Sequence, residues 1–225
     1  MKRAMDLIFS IIGLAVLSPL FLVVSVAVSI DSPGGPFFMG PRVGQHGRVF
    51  KIIKFRSMKQ GCEGKGKWNV SDKDGRITKA GHFLRKTKID EIAQLINVLK
   101  GDMSFVGPRP ELPHYVAMYT DKEKPILDLK PGITDWASIV NFEQFKGFTK
   151  AVDPDKYYLE VVRPLKLRLQ LYYRYHHSIA SDIRCVCWMV YKVFTHSQRL
   201  PGDVQKIVDE YRKGQKNTAN KERQR

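Results

Sequence analysis

Two adjacent carboxylates, Asp90 and Glu91, close the stretch Arg85-Lys86-Thr87-Lys88-Ile89-Asp90-Glu91. Ile89, Ile92, Leu95, Ile96 and Leu99 recur at helical spacing, which predicts a helix over 87–100 with both acids in its first turn. Thr87 stands as its N-cap, Thr87-x-x-Asp90 has the form of a capping box, and Gly101 suits the position past its end. Most acid pairs at a helix start only complement the helix dipole. Here Arg85, Lys86 and Lys88 sit directly before the acids, and the unpaired N–H groups of a helix N-terminus attract phosphate. An ionised carboxylate in that setting can be a nucleophile. Its neighbour can hold a divalent metal that polarises a phosphoryl oxygen. Together these are the parts that phosphoryl transfer through an aspartyl intermediate needs.

A second cationic candidate is Arg109 in Gly107-Pro108-Arg109-Pro110. Prolines on both sides restrict the backbone, and a guanidinium fork matches phosphate oxygens. Lys54 and Arg56, near the end of a strand-like run, are weaker candidates, because a solvated basic face is the ordinary role of such residues. The alternative for Arg109 is equally plain: a solvated side chain on a proline-rich turn.

These residues must be positioned by a chain with an unusual start. Leu7 to Ile30 carries no charge, and Ser18-Pro19 sits in its middle. As one helix the run measures about 36 Å, longer than the ~30 Å hydrocarbon core of a bilayer. Proline removes a backbone donor and costs roughly 3 kcal/mol inside a helix. Three readings stay open on these residues alone: a cleaved signal peptide, a proline-kinked spanning helix, and a re-entrant helix–break–helix that enters and leaves by one face. Lys2 and Arg3 precede the run; Arg42, Arg48, Lys51, Lys54 and Arg56 follow it. The positive-inside tendency therefore wants both ends on the cytoplasmic side, and the Ser18 hydroxyl can satisfy a carbonyl that Pro19 frees.

The remainder is expected to be one small α+β domain, mostly helical. Gly44 to Gly47 form the turn of a β-hairpin whose second strand is Val49 to Phe55. A loop is expected over 59–81, and further loops or turns at 101–113 and at Pro131-Gly132-Ile133-Thr134-Asp135-Trp136. A helix can begin near Pro164, although the alternating Leu165, Leu167, Leu169 and Leu171 also fit a strand. Ser181 is expected to cap an amphipathic segment with Ile183, Val186, Cys187, Val190, Val193 and Phe194 on one face, suited to a core or to a membrane interface. The domain plan is 1–30 in the membrane, 31–200 a cytoplasmic catalytic domain with membrane-interface helices, and 201–225 a short helix and a disordered polar tail. Lys and Arg number 38 against 22 acids, net +16, which favours an anionic partner without choosing one. No helix-turn-helix, zinc or RNA-binding signature supports nucleic acid. Cys62, Cys185 and Cys187 are too few and too irregular for a disulfide framework.

Three ordered blocks, Asp31-Ser-Pro-Gly-Gly-Pro-Phe-Phe38 with the hairpin, Leu84 to Glu111, and Lys130 to Ala137, resemble the bacterial sugar transferases. These are the monotopic polyprenyl-phosphate phosphoglycosyl transferases, and the resemblance runs to about residue 195. It implies transfer of a phospho-sugar from a UDP-sugar to polyprenyl (undecaprenyl) phosphate, releasing UMP, with Mg2+. It implies Asp90 as the nucleophile, Glu91 as metal ligand or general base beside it, and Arg85 and Arg109 as phosphate binders. It also implies that Ser18-Pro19 bends a re-entrant membrane helix, on the cytoplasmic face of a bacterial inner membrane with anionic lipids as neighbours. Two departures stand out. Gly40-Pro41-Arg42 replaces the usual Gln-Glu-Arg, and Gln170 in Leu169-Gln170-Leu171-Tyr172-Tyr173 stands where the family has an acid. If that acid serves metal or sugar, Asp153 or Asp155 is the expected substitute.

Overall fold

The computed structural model describes residues 1–62, 74–141, 153–195 and 197–223. It begins with α1, Lys2–Asp31, a 30-residue helix of mainly apolar residues. Helical conformation continues through Ser18 and Pro19, so the expected break is confined to one lost backbone bond. The carbonyl that Pro19 leaves without its i+4 donor is that of Ala15, and the Ser18 hydroxyl donates to it at 2.8 Å. Among the described residues, α1 is the one helix long and apolar enough to cross a membrane.

Both ends of α1 are tied to the rest of the protein. Lys2 Nζ donates to Val106 O (2.8 Å) and Tyr173 Oη (3.1 Å) and pairs with Asp182. Arg3 donates to Leu99 O at 2.9 Å, and Asp6 Oδ1 accepts from Ser104 Oγ and the Phe105 N–H. At the far end Asp31 Oδ2 accepts from the Ala80 N–H at 2.9 Å. Between these anchors only Ser10, Val24 and Val28 are buried, and the outward face stays apolar and exposed.

Strands β1 (Phe37–Val43) and β2 (Val49–Phe55) pair antiparallel in register Val43 to Val49 and Phe37 to Phe55, the hairpin expected. Next come α2 (Lys79–Thr87), a 3-10 segment at Ile89–Gln94, and α3 (Leu95–Lys100). The expected loop over 59–81 therefore ends sooner, in helix from Lys79; its centre, 63–73, lies outside the described residues. The single helix over 87–100 is corrected as well. Lys88 adopts a left-handed conformation (φ 61°) that ends α2 and starts the 3-10 turn. Thr87 caps nothing: it is the last residue of α2, and its hydroxyl donates back to Phe83 O. The true N-cap is Thr78, which accepts from the Gly81 N–H. Gly101 does end α3, at φ 91°.

Two three-residue strands, β3 (Ser104–Val106) and β4 (Gly132–Thr134), pair in parallel where only loop and turn were expected. Their exits touch so closely that a Cβ on Gly107 would lie 2.3 Å from Lys130 O, and one on Gly132 2.1 Å from Gly107 N. After α4 (Pro113–Val116), a 3-10 turn at Lys124–Asp128 and α5 (Trp136–Asn141), the chain resumes as α6 (Pro154–Tyr157). A π-turn at Tyr158–Val162 leads into α7 (Arg163–His176), with Pro164 at its start and no strand. Helix α8 (Ile179–Thr195) is introduced by Ser178, whose Oγ accepts from the Ser181 N–H; Ser181 is not the cap. Helix α9 spans Gly202–Arg223, longer than the short helix expected there.

One core joins Trp136, Ile139, Leu165, Leu169, Tyr173, Cys185 and Val204 from α5 and α7–α9. Another joins Val24 and Val28 of α1 to Ile53, Phe55, Leu84 and Ala93. The segment Ile89–Gln94, which carries the two acids, thus rests on the seam between α1, α2 and the hairpin. Buried Asn97 fixes that seam: its Oδ1 accepts from the Ile53 N–H and its Nδ2 donates to Lys51 O, both at 2.8 Å. The mostly helical α+β expectation holds at this level.

Candidate active site

Glu91 is the hub. Arg109 grips both of its oxygens, Nη1 to Oε2 at 3.0 Å and Nη2 to Oε1, and Lys54 Nζ donates to Oε1 at 2.8 Å. Burial alone would push the Glu91 carboxyl up, but Arg109 and Lys54 outweigh it and hold Glu91 well below the usual carboxylate range. The pairing is bidentate, which only a guanidinium supplies. Lys54 reaches the site because β2 is pinned to α3 by Asn97. Burial lowers the Lys54 pKa, with Glu91 opposing.

Asp90 is different. It is buried, and its Oδ1 has no hydrogen-bond partner. Burial pushes its pKa up, Glu91 adds to this, and Lys54, Arg85 and Lys88 pull it down. Lys88 and Glu91, its sequence neighbours, line the large cavity described below, whereas Asp90 lies just outside the lining. A buried carboxylate oxygen without a partner, beside three cations, marks Asp90 as a candidate functional group.

The expectation for Arg56 does not fit this geometry. Its guanidinium is buried and donates to Ser32 O (2.8 Å) and Gly34 O (3.2 Å), closing the loop after α1. Lys54, inside β2, points to the acids, whereas Arg56, just past the strand's end at Phe55, turns to the carbonyls of the loop after α1. Arg85 acts on Asp90 through its field. Lys88, singled out with the cations before the acids, lines the cavity wall; residues that sequence reasoning missed include Arg42, on the same wall, and Asp135. Asp135 Oδ2 accepts from the Arg109 N–H at 3.1 Å and its Oδ1 from the Ser138 N–H at 2.6 Å. Its segment read only as a turn, so nothing local marked it.

The departure at Gln170 also resolves. Gln170 is buried behind Arg109, where its amide donates to Asp135 Oδ2 at 3.0 Å. It lines no part of the cavity described below. Asp153 caps α6 and Asp155 accepts from Tyr115 Oη at 3.3 Å; the acid beside Gln170 is Asp135.

For magnesium, no group of three or more His, Cys, Asp or Glu side chains converges among the described residues. Magnesium is commonly held by one or two carboxylates, with substrate phosphates and water completing the shell. The unpartnered Asp90 Oδ1 and adjacent Glu91 fit that mode and not an all-protein cage.

A cavity of about 1180 Å³ connects this ionic cluster to apolar surfaces of α1 and α8. Arg42, Lys54, Lys88, Glu91 and Arg109 form its polar end. Phe9, Gly13 and Val16 of α1 face Ile183, Val186 and Val190 of α8 along its apolar walls. The apolar face expected on α8 is thus largely exposed, with Val190 49% and Phe194 81% accessible, and does not pack into the core.

A family model described as bacterial sugar transferase matches residues 1–196. The chain belongs to that family. It is 36% identical over 198 residues to the UDP-N-acetylgalactosamine-undecaprenyl-phosphate N-acetylgalactosaminephosphotransferase of Aeromonas hydrophila, covering 86% of this chain and 44% of that protein. It is 35% identical over 203 residues to the UDP-glucose:undecaprenyl-phosphate glucose-1-phosphate transferase of Escherichia coli, covering 87% and 40%. With the uncharacterized sugar transferase EpsL of Bacillus subtilis, identity is 38% over 195 residues, covering 86% and 87%. The chain therefore spans under half of the first and second of these relatives and most of the third.

The field around Asp90 makes a pH prediction. Its raised pKa means that the ionised form is lost as pH falls through a value above the ordinary 3.8. Lys54→Gln removes a cation that opposes this rise, so the acidic limb of kcat/KM should move to higher pH. A limb that stays in place would show that Lys54 does not tune Asp90.

Proposed function

We propose that this protein is a sugar-1-phosphate transferase that moves a phospho-sugar from a UDP-sugar to a polyprenyl phosphate such as undecaprenyl phosphate. The observation that carries the reading is the continuity of one cavity, from Glu91, ringed by Arg109, Lys54, Arg42 and Lys88, with Asp90 beside it just outside the lining, to the apolar faces of α1 and α8. A water-soluble diphosphate suits the first end and an isoprenoid the second.

In this reading the diphosphate of the donor draws Arg109 and Lys54 from Glu91 toward its own oxygens. An Asp90 oxygen attacks the phosphorus that bears the sugar, the bridging P–O bond breaks, and UMP leaves with its electron pair. An oxygen of the polyprenyl phosphate then attacks the same phosphorus and expels the Asp90 carboxylate, giving the lipid diphosphosugar. Bound Mg2+ would neutralise phosphate charge, with Asp90 and Glu91 as its protein ligands. Cations around the site compensate charge in both steps. The relatives' names differ in sugar, including N-acetylgalactosamine and glucose, so the sugar is left open.

The same reading makes α1 re-entrant, with the catalytic domain on the cytoplasmic face of the inner membrane and the basic surplus against anionic headgroups. It is supported by the anchoring of Lys2, Arg3, Asp6 and Asp31 on one domain, since a helix that crosses cannot keep both ends there. Single cysteines placed ahead of Lys2 and at position 59, in a background without the three native cysteines, should label from the same side of sealed vesicles. Labelling from opposite sides would exclude the re-entrant arrangement.

The function is tested by offering a panel of UDP-sugars with polyprenyl phosphate and magnesium. Release of UMP with one of them is expected. Release of UDP, or none with any sugar, would reject the reading.

A further inference from the structure

Arg109 is held from behind as firmly as it holds Glu91 in front. Its N–H donates to Asp135 Oδ2 at 3.1 Å, and its carbonyl accepts from Gln170 Nε2 at 3.3 Å. The two holders are joined, Gln170 Nε2 to Asp135 Oδ2 at 3.0 Å. Pro108 and Pro110 have no N–H to offer, so these bonds and those of the adjoining glycines fix the loop. Gly107 N–H donates to Thr134 O and Gly132 N–H to Pro108 O, both at 3.0 Å. Gln170 is only 1% exposed and lines no part of the cavity.

We propose that Gln170 is a positioning residue for Arg109, acting through Asp135 and through the Arg109 carbonyl to aim the guanidinium into the active site. This rests on the reading of Arg109 as the cation that binds the donor's diphosphate. In this chain the contact with Asp135 and the Arg109 carbonyl uses position 170 as a donor, which the Gln170 amide supplies. Asp135 oxygens already accept two backbone N–H bonds, so a second acid about 3 Å away can hold the same contact only by donating a proton across it. An aliphatic side chain would fill the space and hold nothing. The groups facing this pair are Arg109 from its loop, Tyr119 from the segment after α4, Tyr173 one turn along α7, and Cys185 from α8. Lys166, one turn earlier on α7, is engaged by Glu111, and Glu91 faces the far end of Arg109.

The test compares Gln170→Leu with Gln170→Glu in the full-length protein, following kcat and KM for UDP-sugar and for polyprenyl phosphate across pH, with thermal unfolding in parallel. Gln170→Leu should lose about tenfold in kcat/KM for UDP-sugar at every pH while the KM for the lipid stays unchanged. Gln170→Glu should approach the parent at the acidic end, where its protonated carboxyl donates to Asp135 as the amide does. It should then lose activity as pH rises and the shared proton leaves, creating a basic limb that the parent lacks. Should Gln170→Leu fail to fold, the Gln170→Glu profile decides alone. Parental kinetics in Gln170→Leu, or a pH-independent loss in Gln170→Glu, would reduce Gln170 to a packing residue. A parent that releases no UMP would overturn the reading of the site and this inference with it.

Discussion

Asp90→Asn should abolish turnover, by at least ~10³-fold, or about 4 kcal/mol of transition-state stabilisation. The amide matches the carboxylate in shape but cannot form an acyl phosphate. Stability should move the other way. Burial disfavours ionised Asp90 in the folded protein, and Oδ1 has no partner there. Since Thr87 and Asp90 form no capping box, no cap is lost with the carboxylate. The unfolding midpoint of Asp90→Asn should therefore equal or exceed that of the parent, the trade of stability for activity often seen where a reactive group is buried. Retained turnover would remove Asp90 as nucleophile. A large drop in midpoint would show that it holds the fold.

Arg109→Lys should lower kcat/KM for UDP-sugar at least tenfold, ~1.4 kcal/mol. Charge is kept, but one ammonium cannot reproduce the two bonds that Arg109 makes to separate Glu91 oxygens, nor the same fork on a diphosphate. Lysine is the informative choice, because removing the cation altogether would strand a buried carboxylate and cost about 3 kcal/mol or more in stability. Arg85→Lys, whose influence on Asp90 is through its field, should lose less. Equal kinetics for Arg109→Lys and the parent would mean that the fork is not used.

Much of this site was legible because its signals are local. The acid pair with its flanking cations, Arg109 between prolines, the glycine turn of the hairpin and Gly101 are each written in a few adjacent residues. Ser18 was expected to take the carbonyl freed by Pro19, and it bonds Ala15 O. What was not legible depends on distant partners. The helix over 87–100 carries a good apolar period, yet Lys88 in a left-handed conformation splits it, since α2 and the hairpin fix where the acids must lie. Strands β3 and β4 are three residues each, too short for any periodicity to register. Arg56 looked equivalent to Lys54 until the loop after α1 supplied carbonyls for it. Asp135 and Gln170 lie 35 residues apart and meet only behind Arg109.

The central claim is that a phospho-sugar passes through Asp90. The most direct measurement is the intact mass of the protein after mixing with a UDP-sugar and magnesium in the absence of any lipid acceptor, with UMP counted in the same sample. The account predicts UMP in step with a mass increase of one sugar phosphate, located to the peptide containing Asp90 and absent from Asp90→Asn. UMP that appears only when polyprenyl phosphate is added, with no mass change on the protein, would contradict it.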